Sequence, residues 1–303
     1  MKNKKILWLL SLLITCFLLA SCTGKLKVYC PDLAVPEDAS DKSGDCTLIV
    51  SPDNKVMLID CGHPQSIKYT ISLLTELKIK QIDCLVVSHP HIDHIGGIPA
   101  LCAMVDVKKC YYTGLVYPTQ TYQGFIDAMK NHNIPVEIIR EGDSFSFGEK
   151  VKCDVFWPPK GEFEYPVGYP ANSTQFVNDT SVCLKMNYGK ASALFAGDLY
   201  RSAERKLVEK HKADLKSTFA KANHHGNDTS NSLGWIKAVD ADVVYAMNDV
   251  LGSMQVYKDY TKSGHTKFYH SAENGVMRFS IDKKGHVTAK VQKTSWMQDD
   301  KKN

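Results

Sequence analysis

Apolar positions along the chain fall into two patterns, short continuous runs and stripes of helical period, and the two alternate. Lys27-Val28-Tyr29, Cys46-Thr47-Leu48-Ile49-Val50 and Val56-Met57-Leu58-Ile59 read as strands, the last two joined by a turn at Ser51-Pro52-Asp53-Asn54. Ile67, Ile71, Leu74 and Leu77 form a helical stripe, with Ser66 placed to cap it. Cys84-Leu85-Val86-Val87-Ser88 is a continuous apolar strand of the kind buried on both faces, and a further helix starts near Ile98. The second half repeats the alternation. Strands are predicted near 151–157, 181–187, 191–196, 217–222, 243–247, 266–270, 276–281 and 286–291, with helices at about 202–211 and 231–238. Residues 158–178, rich in Pro, Gly and aromatics, read as a long loop. The class is α+β, sheet covered by helices, and no linker divides the chain.

The N-terminus follows another pattern. Lys2, Lys4 and Lys5 precede an apolar run from Ile6 to Ala20, short for a membrane span, which takes roughly 20 apolar residues. Leu19-Ala20-Ser21-Cys22 then resembles the lipobox of bacterial lipoproteins. The expectation is a signal peptide over 1–21, lipid on Cys22, a tether at 22–25, one domain over 26–295 and a polar tail at 296–303. Such a protein is exported and lipid-anchored to the cell envelope; the alternatives are an ordinary signal peptide or an uncleaved anchor. The formal charge is +4, from 37 basic and 33 acidic residues. Without the three N-terminal lysines, 34 basic residues face 33 acidic ones, and charge gives no support for nucleic acid as a partner. A small-molecule or envelope-derived substrate is expected instead.

Of ten Cys, Cys16 and Cys22 lie in that leading segment. The others form no Cys-x-x-Cys pair, which argues against a Cys-based zinc site or a thioredoxin-like motif. Cys61, Cys84 and Cys183 read as buried free thiols, and Cys30 with Cys46 as a candidate bridge across a polar loop.

The candidate chemistry is in His89-Pro90-His91-Ile92-Asp93-His94, directly after the buried strand. In extended backbone His89 and His91 project to one side, and a following turn aims Asp93 and His94 at a second position nearby. Imidazole with carboxylate suits zinc, with manganese or iron as alternatives. Gly96-Gly97 lets the loop pass close to a metal.

His-x-His-x-Asp-His after a strand resembles the signature of the metallo-β-lactamase superfamily, an αββα sandwich that holds one or two metals at the sheet edge. Leu58-Ile59-Asp60-Cys61-Gly62 resembles its strand whose Asp, here Asp60, supports the ligand loop. Phe195-Ala196-Gly197-Asp198 resembles the strand whose Asp bridges both metals, although Asp198 also reads as a helix cap. Ala222-Asn223-His224-His225-Gly226 resembles the last ligand segment. The resemblance favours His225 as ligand and His224 as a substrate-contacting group, with the reverse assignment open. That double-His form is similar to the extracytoplasmic domain of competence DNA-uptake channels and to phosphorylcholine esterases. The resemblance implies two divalent ions, zinc before manganese or iron, held by His89, His91, Asp93, His94, Asp198 and His225, with Asp93 and His224 in catalysis. The third His of lactam- and thioester-hydrolysing relatives is missing. Asn178-Asp179-Thr180-Ser181 stands at its place, with Asn178 as a weak ligand or a water-mediated one. The reaction implied is hydrolysis of a phosphodiester or phosphoester by a metal-bound hydroxide. A lactone, carboxylic ester or lactam is the alternative substrate, and a metal- or envelope-binding lipoprotein without turnover is the alternative function. His63, His132, His211, His265, His270 and His286 read as surface or core histidines.

Overall fold

The computed structural model describes residues 24–37, 39, 42–161, 163 and 173–298. Cys22, the expected signal peptide and residues 162 and 164–172 of the 158–178 loop lie outside the described residues, and the end of that expected loop is instead a short helix, Thr174–Asn178, capped by Ser173. Two large sheets face each other. The first runs, in spatial order, Val287–Val291, Met277–Ile281, Leu26–Cys30, Thr47–Val50, Val56–Ile59, Cys84–Val86, Cys110–Tyr112 and Val136–Ile138. The second runs Lys267–His270, Val243–Ala246, Phe219–Lys221, Ala191–Phe195, Cys183–Tyr188, Val151–Trp157 and Ser144–Phe147.

Period-two alternation sorts the side chains of the second sheet between two cores. Ala193, Phe195, Phe219 and Tyr245 enter the core between the sheets, while Leu194, Ala196, Ala220 and Val244 pack outward against helices. The outer helices Arg201–His211, Leu233–Val239 and Met254–Thr261 supply Leu207, Trp235 and Tyr260 to that second core. Helices Ile67–Glu76, Ile98–Met104 and Gln120–Asn131 cover the first sheet in the same way. The result is a sandwich of two sheets between two helical layers. Among the described residues no helix is long and apolar enough to cross a membrane.

Several local expectations are corrected. Ser66 does precede the helix, but its hydroxyl makes no cap bond and donates instead to the Ser43 and His63 carbonyls. Residues 106–147, little patterned in the sequence, hold Gln120–Asn131 and four short strands. The expected tail at 296 begins with a turn, Trp296–Gln298, that packs on the domain: Met297 is buried and Gln298 Nε2 donates to the Phe268 carbonyl at 2.8 Å.

The Cys30–Cys46 bridge is not formed, and all eight described cysteines are free and buried. Cys30 lies on the inner face with Thr47 and Tyr245, whereas Cys46 accepts from Thr70 of the outer helix Ile67–Glu76 at 3.3 Å. The two thiols are on opposite faces of one sheet. A disulfide requires Cβ atoms within about 4.5 Å and pointing together, which this geometry forbids. The denatured chain should therefore alkylate at all eight of these positions without reductant, and reductant should leave the thermal midpoint unchanged. Mass spectrometry showing a Cys30–Cys46 cross-link would contradict the fold.

Candidate metal centre

The sequence-predicted ligands gather where carboxyl ends of parallel strands from both sheets meet, the usual place for a site in sheets of this kind. Asp60 closes the Val56–Ile59 strand in left-handed backbone, at φ 58°. Its carboxylate accepts from Ser88 N–H at 2.8 Å and Ser88 Oγ at 2.6 Å, and lies 2.8 Å from His94 Nδ1. His94 Nε2 is thereby aimed into the crevice. His89 is fixed in the same manner, with its Nδ1 3.0 Å from Ser88 Oγ and 3.2 Å from Ser181 Oγ. His91 follows in extended backbone and brings its Nδ1 to 3.0 Å from His89 Nε2. Asp93 and His94 sit in the single turn Ile92–Ile95.

The second sheet supplies the other half. Asp198 Oδ2 lies 3.2 Å from both His94 Nε2 and His225 Nε2. It does not cap the helix that follows, which has no side-chain cap; Asp179 braces the entry to that helix, accepting from Tyr200 N–H at 2.9 Å and from Ser202 Oγ. His225 Nε2 is 3.1 Å from Asp93 Oδ2, and its Nδ1 is 2.9 Å from the Met247 carbonyl. His224 turns away: its Nε2 is 3.9 Å from Asp198, and its Nδ1 meets Thr229 Oγ1 at 2.6 Å. The structure thus places His225 in the donor group and His224 on the wall of the adjoining cavity. His63, His132, His211, His265, His270 and His286 stay outside the donor group.

The pair is held in an unfavourable backbone. His224, His225 and Gly226 have φ of 47°, 56° and 80°, a left-handed run that only over-determined surroundings maintain. Buried Glu204 supplies much of that determination, accepting from Asn223 Nδ2 at 2.8 Å, Asn231 N–H at 2.6 Å and Ser232 N–H at 2.8 Å. Asn231 Oδ1 in turn accepts from Asn223 N–H at 3.0 Å.

The donor set fits a divalent cation. Tetrahedral zinc with bonds of about 2.0–2.2 Å has donor–donor edges of about 3.3–3.6 Å. Asp93 Oδ2, His94 Nε2, Asp198 Oδ2 and His225 Nε2 show separations of 3.1, 3.2, 3.2 and 3.7 Å. His89 Nε2 and His91 Nδ1, 3.0 Å apart, form a second such edge beside them. The buried Asp198 Oδ1 has no hydrogen-bond partner among the described residues, as a ligand oxygen awaiting a cation would. Asp45, His94, Asp198 and His225 also form a compact group, with donor atoms within 4.8 Å of one another.

Charge in the crevice follows from burial and crowding. Burial disfavours charge on His94 and His225, yet Asp198 with Asp93 and Asp60 around the first, and with Asp45 beside the second, holds both imidazoles well above their ordinary range. Burial raises Asp198, but His225 and His94 outweigh it and hold the carboxyl well below the usual range. His89, with neighbouring imidazoles and weaker help from carboxylates, is pushed well down by burial. Protons here do what a cation would do.

Two functional residues escaped sequence reasoning. Asp45 and Lys221 are buried, with Lys221 Nζ 2.5 Å from Asp45 Oδ2 and 3.7 Å from Asp198 Oδ1. Asp45 Oδ1 lies 3.4 Å from His225 Nδ1, so the pair backs the centre from below. No local spacing announces such a pair, since its members are far apart in the chain.

The sequence profile described as the metallo-beta-lactamase superfamily matches residues 39–247, and the chain belongs to that superfamily. Among curated proteins it is 25% identical over 177 residues to "ComE operon protein 3" of Bacillus subtilis (strain 168), covering 58% of this chain and 21% of that one. It is 24% identical over 272 residues to "Competence protein ComA" of Neisseria gonorrhoeae, covering 85% of this chain and 34% of that one. The chain thus spans about a fifth to a third of these relatives. Among solved structures, the metallo-beta-lactamase fold protein YhfI from Bacillus subtilis superposes with a TM-score of 0.52 at 12% identity, over 83% of this chain and 98% of that one. This last likeness concerns the fold alone.

Removing one member of a buried ion pair strands the other charge. Lys221→Met should lower the unfolding free energy of the metal-free chain by about 3–5 kcal/mol in urea, and Asp45→Asn with Lys221→Met should recover most of it. A single-variant loss below ~1 kcal/mol, the range of an exposed pair, would contradict the burial described.

Proposed function

We propose, taking membership of that superfamily as the premise, that the chain is a metal-dependent hydrolase of phosphodiester or related phosphoester bonds. It works outside the cytoplasm from a lipid anchor on Cys22. Asp93, His94, Asp198 and His225 would hold one divalent ion, and His89, His91 and Asp198 a second, zinc being the best match to this donor chemistry. Bound there, such ions supply a nucleophile at neutral pH and neutralise charge developing on the substrate's oxygens.

The observation that carries the substrate class is Asn178. It lines a cavity of about 570 Å³ together with His91, Asp93, Asp198 and His224, and stands beside His91. Its buried Oδ1 has no hydrogen-bond partner among the described residues. An amide is a weaker donor than the imidazole that lactam-hydrolysing relatives carry at this place. The His89–His91 position is thereby left open to an oxygen of the substrate. An anionic phosphoryl oxygen supplies charge there that a neutral lactam carbonyl does not.

The remaining groups have distinct tasks. Asp93 keeps its side chain 14% exposed on the cavity side, placed to orient the attacking water and receive its proton. Asp60 and Ser88 hold His94 and His89 in register and exclude water from behind them. His224 faces the cavity, and burial lowers its pKa to about 4, so near neutral pH it serves as a neutral contact for the substrate.

The purified chain should hydrolyse a generic phosphodiester in preference to a lactone, a carboxylic ester or a β-lactam. His89→Ala and Asp198→Ala should each lose both metal and turnover while keeping the circular dichroism of the fold. Turnover of lactams with none of phosphodiesters would sink the reading. Asn178→His should hold metal more tightly against a chelator and lose phosphodiesterase rate as the open position fills. Equal chelator titrations for the two proteins would mean that Asn178 does not adjoin the ion.

Anchoring has its own measurement. Protein from the membrane fraction should begin at Cys22 and carry the mass of attached lipid, and Cys22→Ala should appear in the soluble fraction. An intact mass that retains residues 1–21 would rule the anchor out.

A further inference from the structure

The segment from Lys42 to Asp45 brackets the metal centre from both sides. Its backbone is fastened to the ligand loop: Asp45 N–H donates to the Asp93 carbonyl at 3.1 Å, and Gly62 N–H to the Asp45 carbonyl at 2.9 Å. Ser66 Oγ donates to the Ser43 carbonyl at 3.0 Å. Gly44, at φ 86°, lies so close to the ligand loop that a Cβ would stand 1.7 Å from the Asp93 oxygen, so only glycine fits. With the backbone clamped in this way, the two charged side chains point in opposite directions. Asp45 turns inward to Lys221. Lys42 turns outward into the cavity, where its Nζ lies 3.5 Å from His224 Nε2.

Lys42 is the single cation lining that cavity among the described residues. The rest of the lining is neutral apart from the ligand carboxylates Asp93 and Asp198 and from Asp249, which is exposed at the rim. Among the described residues no carboxylate pairs with Lys42. His224 Nδ1 is engaged with Thr229 Oγ1, which leaves Nε2 to accept from the ammonium and steady it. A half-buried ammonium held on an imidazole beside a metal centre has donors to spare, and an anionic oxygen is their strongest acceptor.

We infer that Lys42 is the anion-selecting residue of this site, donating from Nζ to a phosphoryl oxygen of the substrate. The inference rests on the phosphoester reading of the same cavity and adds to it the requirement for a negative charge on the substrate.

The test uses the full chain, metal-loaded, as wild type, Lys42→Gln and Lys42→Arg. Bis(4-nitrophenyl) phosphate is compared with its neutral methyl triester, and inorganic phosphate serves as a binding probe in calorimetry. In Lys42→Gln the ratio of kcat/KM for the anionic over the neutral substrate should fall about tenfold or more, the value of one charge-assisted hydrogen bond. The fall should be carried by KM, and phosphate binding should weaken by a similar factor. Lys42→Arg should keep most of the ratio, and metal content should be equal in all three proteins. An unchanged ratio with unchanged phosphate binding, or an equal loss on both substrates, overturns the role of Lys42 alone. A wild type that binds no phosphate and cleaves no phosphodiester overturns the phosphoester reading and this inference with it.

Discussion

The crevice is organised by an excess of buried negative charge. Asp45, Asp60 and Asp198 are each at most 2% exposed, Asp93 joins them from the cavity wall with its side chain partly exposed, and Lys221 is the buried ammonium among them. An unpaired ion in a protein interior costs several kcal/mol even after relaxation, so these carboxylates dictate what surrounds them. Lys221 answers Asp45, burial notwithstanding, and is held above the usual lysine range by Asp45 and Asp198. The raised imidazoles of His94 and His225 answer Asp198 and Asp93. What remains is a deficit of positive charge located between converging donor atoms. A divalent cation at that spot answers the deficit and the orphaned Asp198 oxygen together.

Holding like charges in this way takes rigid surroundings, and they are visible as strain with an opposing network. Asp60, His224 and His225 all occupy left-handed backbone without being glycine, each at a cost of order 1–3 kcal/mol. Asp60 is held by Ser88 and His94, and its strained turn brings the carboxylate under the ligand loop. The His224–His225 turn is held from the far side by Glu204 and Asn231, which pair its neighbouring backbone groups at 2.6–3.0 Å. In both places the strain points a side chain where an unstrained backbone would not. Gly44 solves a related problem by omission, since its missing Cβ is what lets Asp45 and Asp93 share one layer.

How much of this was legible in the sequence depended on how local the signal was. His89, His91, Asp93 and His94 lie within six positions, and their spacing alone located the centre. Asp60, Asp198 and His225 were legible through the resemblance of Leu58–Gly62, Phe195–Asp198 and Ala222–Gly226 to the superfamily's segments. Two choices needed three dimensions: Asp198 as ligand or cap, and His224 or His225 as donor. Asp45, Lys221 and Glu204 were not legible, because a buried polar residue is explained only by a partner distant in the chain. Asp45 and Lys221 meet across 176 positions and two sheets. The proposed Cys30–Cys46 bridge failed for a related reason. The two positions are close in sequence, but strand pairing puts their thiols on opposite faces. Helix Gln120–Asn131 was missed because its buried face amounts to Phe125, Ala128 and Met129, too thin a stripe to stand out from its polar neighbours.

The donors are divided between the sheets, and that division ties the site to the stability of the core. His89, His91, Asp93 and His94 follow a strand of the first sheet, whereas Asp198 and His225 follow strands of the second. Neither half is a site by itself. Their separation is set by what lies between the sheets: Phe195, Phe219, Tyr245 and Phe279, with Tyr245 Oη 2.6 Å from Thr47 Oγ1 of the facing sheet. Burying each large apolar side chain is worth about 1.5–3 kcal/mol, so a few of them suffice to hold carboxylates at distances that their charges resist. The core therefore keeps the donors assembled before a cation arrives. In the empty crevice the protons on His94 and His225 answer part of the carboxylate charge, and a cation replaces them as it binds, so that its affinity rises with pH. The same linkage makes a bound ion a clamp across the two sheets, stabilising the fold in proportion to how tightly it is held.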